Sequence, residues 1–235
     1  MARAKNAKLV AALLDSYGRT YSSELRIDIA RGTPSPLFRW LVASLLFSAR
    51  IRADAALSAA RALSEAGWRT PGKMAAAGWE ARVKVLNRSG YARYDESTSR
   101  MIGDTCELLL DRYGGDLRKL RAAAGEKPDA ERRLLRQFKG IGEVGAGIFC
   151  REAQAAWPEL YPFADGRALT AAGKLGLPGD AKPLASLVDR ADFPRLVTAL
   201  VRVDLEKGYE RLGADAAGLP RGRRQGWRRA PKNAI

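Results

Sequence analysis

The segment best suited to bind a ligand is Gly140-Ile141-Gly142, in which two glycines flank one apolar residue. Glycine adopts backbone angles that other residues resist, and it has no Cβ to obstruct an approaching molecule. Apolar helical patterns precede and follow the segment, which predicts a helix, a tight hairpin pinned to the core by Ile141, and a second helix. The amides from Gly142 onward would lie at a helix N-terminus, where unpaired N–H groups and the helix dipole favour a phosphate.

A plain connection between two helices also uses glycine, so the hairpin alone leaves both interpretations open. The charge of the chain favours the phosphate. It has 41 lysines and arginines against 26 acidic residues, with a formal net charge of +15 and a pI near 10.3. Such a surface favours DNA or RNA first and an anionic membrane a distant second. The longest apolar run, residues 40–49, is too short to span a bilayer and is predicted to be a buried helix.

The composition also limits the chemistry. The chain has no histidine, the commonest general base and the commonest metal ligand, so no metal site is predicted. Cys106 and Cys150 are predicted to be buried thiols rather than a disulfide. The N-terminus has no apolar signal segment, which predicts a cytoplasmic, nucleoid-associated protein. Any reaction would therefore use carboxylates, lysine or bound water.

Three motifs, in order along the chain, resemble those of the helix–hairpin–helix DNA glycosylase superfamily, of which endonuclease III is one branch. The hairpin Leu-Pro-Gly-Val-Gly of the family corresponds to residues 138–142. An earlier Ser-Ala-Gln, at the end of an apolar helix, corresponds to Ser48-Ala49-Arg50, and the aspartate motif Val-Asp-Thr-His corresponds to residues 164–167. The resemblance covers about residues 36–211. It implies hydrolytic removal of a damaged or mispaired base from double-stranded DNA.

The resemblance makes Asp165 the expected catalytic residue. An aspartate at the start of a helix is a good N-cap, and most such residues do only that. Breaking the bond between a base and deoxyribose, however, builds positive charge on the sugar. A fixed carboxylate beside that charge stabilises it and can orient the attacking water. On this basis, Asp165→Asn is expected to keep the fold to within about 1 kcal/mol and to lose base release.

Val144 occupies the position where lyase-competent members of the family carry a lysine. Valine cannot form a Schiff base, so a monofunctional glycosylase is expected. Two alternatives remain. One is a bifunctional glycosylase/lyase that uses another lysine, with Lys139 the first to test. The other is a non-catalytic DNA-binding protein of the same fold.

The resemblance also implies which residues contact DNA. Arg50 falls where family members insert a polar side chain into the gap left by a flipped base, and Tyr91 falls near a second insertion loop. The alternatives are a surface charge at a helix end for Arg50 and a half-buried aromatic for Tyr91. The expected hairpin contacts are Lys139, Gly140, Ile141, Gly142, Val144 and Gly145. Two cysteines cannot hold an iron–sulfur cluster, so no cofactor is expected, although a monovalent cation at the hairpin is compatible with the family.

The elements that would position these residues are helices throughout, because no segment shows a convincing strand alternation. We expect an all-α fold with two helical lobes and a DNA-binding cleft between them, in a monomer. One lobe would comprise residues 35–154 and end with the helix–hairpin–helix, and the other residues 1–34 and 155–220. Residues 221–235 form a basic tail that is either solvated or tracks phosphates, with Trp227 available to stack on a base.

Overall fold

The computed structural model describes residues 2–216, apart from the side chains of residues 2–5, 214 and 215. Over this range the chain is helical and contains no strand, which confirms the all-α prediction. The basic tail, residues 221–235, lies outside the described residues. The helices are α1 (Ala2–Tyr17), α2 (Tyr21–Glu24), α3 (Pro34–Ser48), α4 (Ala53–Glu65), α5 (Pro71–Ala76), α6 (Gly78–Leu86), α7 (Asp95–Tyr113), α8 (Leu117–Ala123), α9 (Pro128–Leu135), α10 (Glu143–Ala153), α11 (Gly166–Lys174), α12 (Ala181–Ala185), α13 (Phe193–Leu205) and α14 (Tyr209–Ala216).

Helix α3 forms the centre of the larger hydrophobic core. It begins with Pro34, whose fixed φ suits the first turn of a helix, and most of its side chains are buried. It packs against α4 and α10. The indole Nε1 of Trp40 donates a hydrogen bond to the carbonyl oxygen of Phe149 at 3.0 Å, which fixes α3 against α10. Two of the three motifs, at the end of α3 and the start of α10, are therefore held by one helix pair.

The buried apolar side chains form two clusters. The larger cluster extends from Tyr21 to Leu160, and the smaller one combines α1 with side chains from Ala168 to Leu212. The apolar side chains of residues 21–29 pack in the larger cluster, although the expected lobe boundary is residue 35. The division of the chain into lobes stays a prediction.

Helix α10 contacts both clusters, and its buried Glu152 connects them. The carboxylate accepts hydrogen bonds from the amides of Tyr21 and Ser22, each at 2.9 Å, and lies 3.4 Å from the hydroxyl of Thr198 on α13. Burial raises the pKa of Glu152, while these donors oppose the shift. The position of α10 is thus fixed by groups on both sides.

The helix–hairpin–helix predicted from the glycines is present. It consists of α9, a turn over residues 136–142, and α10. Gly140 has φ of +83°, a conformation that L side chains rarely adopt. Ile141 is 1% exposed, and its amide donates to the carbonyl oxygen of Phe138 at 3.0 Å. The predicted role of Ile141 in pinning the hairpin to the core agrees with this burial. None of the helices in the described range is both long and apolar enough to cross a membrane.

Candidate active site

A cleft of about 880 Å³ is lined by two of the three sequence motifs and by the first turn of the helix that follows the third, the hairpin. One part of its wall is the segment after α3, including Arg50, and a second is the first turn of α10 with Val144. The third part is the segment before α11, which carries Asp165. Of the predicted site residues, Arg50, Val144 and Asp165 line the cleft. The others do not, namely Lys139, Gly140, Ile141, Gly142, Gly145 and Tyr91.

Asp165 is held by groups on both sides of its carboxylate. It is the N-cap of α11, and Oδ1 accepts hydrogen bonds from the amides of Arg167 at 3.1 Å and Ala168 at 3.2 Å. The other oxygen, Oδ2, lies 2.6 Å from Nε of Arg151 on α10. Gly147 of α10 faces the same side chain, because a Cβ built there would lie 3.5 Å from the Cβ of Asp165. The carboxylate is therefore fixed in position at the cleft surface.

Arg151 is a site residue that sequence reasoning missed. Its side chain is 5% exposed and lines the cleft, beside the 15% exposed side chain of Asp165. The available signal was the dipeptide Arg151-Glu152 within the apolar stretch of α10. Charged residues are rarely buried unless they are paired, so two of them on a buried helix indicate specific partners.

The first turn of α10 offers unpaired amides, as the phosphate interpretation requires. Gly142 is its N-cap residue, and the first amide with a helical partner is that of Ala146, which donates to the carbonyl oxygen of Gly142 at 2.9 Å. No acceptor within residues 2–216 engages the amides of Gly142, Glu143 or Val144. The side chain of Val144 is 67% exposed. Lys139 on the hairpin is also exposed.

The hairpin surface carries an ion-pair cluster that the sequence did not reveal. The carboxylate of Glu143 pairs with Arg132 and with Nη1 of Arg136, the latter at 3.1 Å. The guanidinium of Arg132 also lies 5.7 Å from the ring centroid of Phe163 at the cleft wall. The two guanidinium groups could exchange Glu143 for a phosphate, whereas the carboxylate itself would be repelled by one.

Tyr91 does not have the predicted role. Its side chain is completely buried, and its hydroxyl donates to the carbonyl oxygen of Leu46 at 2.9 Å. Burial raises its pKa to about 12. Gly90 before it has φ of +83°, and the turn directs Tyr91 into the core. A DNA contact by Tyr91 is wrong for this structure.

Two of the predicted hairpin contacts also face inward. Ile141 uses both its side chain and its amide within the protein, so a direct DNA contact by this residue is wrong for this structure as well. Gly145 is buried, and a Cβ there would lie 3.5 Å or less from Ile141 and Ser48. The exposed hairpin candidates are Lys139, Gly140, Gly142 and Val144.

The described residues contain no group of three or more His, Cys, Asp or Glu side chains that could hold a metal ion, and the cleft has no lysine in its lining. A monovalent cation at the hairpin would need carbonyl oxygens. That of Lys139 already accepts a hydrogen bond from Thr105 at 3.3 Å, so a cation would have to share it. That of Gly140 lies 3.1 Å from the hydroxyl of Ser48, whose shorter contact is with the carbonyl oxygen of Leu45 at 2.7 Å. The cation stays a prediction.

No family model and no curated protein matches this chain. Among solved structures, the chain is similar to one described as a trapped endonuclease III–DNA covalent intermediate in an estranged-adenine complex. The two share 19% sequence identity with a TM-score of 0.46, over 69% of this chain and 71% of that chain.

Proposed function

We propose that this protein is a monofunctional DNA glycosylase, which hydrolyses the N-glycosidic bond of a damaged or mispaired base in duplex DNA. One observation supports this above the others. A fixed carboxylate, Asp165, lies on the same cleft as a helix N-terminus with unpaired amides, in a chain of net charge +15. The amides suit a backbone phosphate and the carboxylate suits a sugar that becomes positively charged.

The duplex would lie across the mouth of the cleft. The exposed amides of Gly142 and Val144 would bind a phosphate, with Lys139 beside them. Arg50 is exposed at the cleft wall, and no residue of the described chain pairs with it, so its guanidinium is free to fill the stack when a nucleotide is flipped. Flipping costs a few kcal/mol, and a planar side chain in the gap recovers part of that cost.

The flipped nucleotide would place its sugar against Asp165. As the glycosidic bond breaks, positive charge grows on the sugar ring, and the carboxylate stabilises it without forming a bond. Its oxygens already accept two amides and a guanidinium, which hold the carboxylate in place for this electrostatic role. Water then attacks the sugar carbon, and its proton passes to solvent.

The position of Val144 supports base release without strand cleavage. The lyase reaction needs an amine that attacks the sugar. Val144 presents an exposed apolar side chain at the cleft wall, and Lys139 lies outside the lining. An apolar group at this place would exclude water from one side of the sugar.

A non-catalytic DNA-binding protein of the same fold is the second candidate. One observation favours it, namely that Asp165 already has a structural function as the N-cap of α11 and the partner of Arg151. A residue with that function would be retained even without a reaction.

Turnover distinguishes the two candidates. Duplex oligonucleotides that each contain one lesion are incubated with excess protein, and abasic sites are revealed by alkali. We expect release of at least one base by the wild type and its loss in Asp165→Asn. The matched control is Asp116→Asn, because Asp116 caps α8 and pairs with Arg118 but lies outside the cleft lining. Binding of DNA without release of any base would support the non-catalytic alternative.

A further inference from the structure

Arg151 has hydrogen-bond donors that the protein does not use. Its Nε donates to Asp165, but no acceptor in the described part of the chain engages either Nη group. The side chain is 5% exposed and belongs to the cleft lining, so the small surface that it exposes faces the cleft. These N–H groups are therefore available to a molecule that enters the cleft.

The proposed reaction places an acceptor beside this guanidinium. When the glycosidic bond breaks, its electron pair stays on the nitrogen of the base. A base that is uncharged in DNA therefore departs as an anion, with the charge spread over its nitrogens and carbonyl oxygens. A desolvated cation stabilises such an anion far more than the same cation in water would. Asp165 is negative and the adjacent Arg151 is positive. Asp165 can therefore stabilise the sugar cation, and Arg151 the base anion.

We propose that Arg151 is a catalytic residue that donates from its Nη groups to the departing base, and that the substrates are consequently bases that are uncharged in DNA and leave as anions. This rests on the glycosylase function proposed above. The reaction balances as a hydrolysis: the C1′–N bond breaks with its electron pair on the base, the oxygen of water bonds to C1′, that water loses a proton to solvent, and the base anion takes up a proton from solvent.

The charge of the cleft agrees with this substrate class. Two acidic residues, Asp165 and Glu143, line it, and the lining arginines are Arg50, Arg52, Arg132, Arg151 and Arg167. Arg52 and Arg167 pair with Asp54 and Asp204 outside the lining, so the excess of positive charge comes from Arg50, which has no partner among the described residues. A cationic alkylated purine, such as 7-methylguanine, would be repelled by this excess of positive charge. Such a base also leaves as a neutral molecule and gains little from a guanidinium.

The test compares leaving bases of different acidity. Single-turnover base release is measured for duplexes that contain uracil, 5-fluorouracil, thymine glycol, hypoxanthine or 7-methylguanine. The proteins are the wild type, Arg151→Gln, Arg151→Lys and Asp165→Asn. Fluorine makes the departing uracil a weaker base, so its release depends less on a cation. We expect Arg151→Gln to slow uracil release by about a hundredfold and 5-fluorouracil release by clearly less. The rate of uracil release by Arg151→Lys should lie between those of the wild type and Arg151→Gln.

The ratio of the two rates separates the proposed role from a structural one. A variant that is partly unfolded, or that only misplaces Asp165, slows both substrates by the same factor. Asp165→Asn is therefore expected to leave the ratio unchanged, whereas Arg151→Gln raises the preference for 5-fluorouracil by about tenfold. An unchanged ratio in both Arg151 variants would overturn the role of Arg151, and so would wild-type release of 7-methylguanine in preference to the uncharged bases. If the wild type releases no base from any duplex, the glycosylase proposal fails and this role fails with it.

Discussion

Arg151 and Asp165 form an ion pair with a 2.6 Å separation between Nε and Oδ2, in which the cation is almost completely buried. Asp165 therefore helps to hold α10 in place, and it is also the N-cap of α11. Removing one member of a buried pair leaves the other uncompensated, which costs more than losing a helix cap. The expectation from capping alone, a loss within about 1 kcal/mol, is too small for this site.

Asp165→Asn should lose base release and some stability. We expect release to fall by at least about a hundredfold, because the sugar cation loses its negative partner. Unfolding in denaturant should show a loss of roughly 2–3 kcal/mol, since Arg151 then faces a neutral amide. DNA affinity should persist or rise, because a carboxylate near the phosphates is removed. A normal rate of release in the folded variant would contradict the catalytic assignment.

The two hairpin glycines should respond differently to substitution. A Cβ on Gly142 would meet nothing within 4 Å, so Gly142→Leu should fold normally but obstruct the phosphate and weaken DNA binding. Gly140 has positive φ, and a Cβ there would lie 2.7 Å from Sδ of Met101. Gly140→Ala should therefore destabilise the fold by roughly 1–3 kcal/mol.

Binding assays and thermal unfolding separate these two effects. Gly179→Leu is the matched control for Gly142→Leu, because Gly179 is exposed, has open space around it and lies outside the cleft lining. Equal DNA affinity in the two leucine variants would rule out the phosphate contact at Gly142.

DNA binding should be electrostatic and depend weakly on sequence. With about five phosphate contacts, the logarithm of affinity should fall with the logarithm of salt concentration at a slope of roughly −4 to −5. Deletion of residues 221–235 should lower the affinity and make the slope shallower, while base release per bound complex stays intact. The slope is measured by titrating labelled undamaged duplex at several salt concentrations. A slope near zero would remove nucleic acid as the partner.

The wild type should give no covalent adduct with DNA when borohydride is present, and the strand should stay uncut. Val144→Lys places an amine at an exposed position of the cleft wall, so this variant should form a trapped adduct on DNA that contains an abasic site. Leu205→Lys is the control, because Leu205 is another exposed apolar residue of the lining. An adduct with the wild type would direct the search to Lys139.

Stability should fall as the pH rises toward 8, because of Glu131 on α9. Its side chain is fully buried, no hydrogen-bond donor of the described residues reaches either oxygen, and its own proton can be donated to the carboxylate of Glu159. Burial, together with the neighbouring carboxyl of Glu159, raises its pKa to about 8 from a usual value of 4.5, against the opposing effect of Arg121. The folded state holds this proton more tightly than the unfolded state. The resulting stability is complete below pH 4.5 and is lost as the pH rises through 8.

Glu131→Gln should remove this dependence. A neutral amide of the same size cannot become charged, so the variant should be more stable than the wild type at pH 9 by roughly 1–3 kcal/mol. The two proteins should be of similar stability at pH 5. Denaturant unfolding at both pH values, with Glu80→Gln as an exposed control, checks the expectation. A wild type that is equally stable at both values would show that Glu131 is not protonated in the fold.

The sequence was sufficient for the features that depend on local pattern. The hairpin follows from glycine spacing between two apolar helical patterns, and Asp165 as an N-cap follows from its position before a helix. Ile141 as a core residue follows from its place between the glycines. Each of these depends on residues within a turn or two of the chain, where backbone sterics and helix periodicity determine the outcome.

Features that depend on contacts distant in sequence were missed. Arg151 and Asp165 are on different elements, and nothing in the spacing indicates that they meet. Tyr91 was expected to face DNA, but the turn at Gly90 and an acceptor on α3, the carbonyl of Leu46, place it in the core. Which acceptor a tyrosine or arginine finds is decided by packing between elements, and a single sequence does not contain that information.

The groups proposed to bind the phosphate and the departing base are both on helix α10. The amides of its first turn and Arg151 near its end are separated by about two helical turns, or roughly 10 Å along the axis from Val144. Both positions are on one helix, so this separation is fixed, and Glu152 bonds the far end to elements of both hydrophobic clusters. The helix therefore sets the distance between the two contacts, and only a nucleotide displaced from the strand by that distance would make both at once.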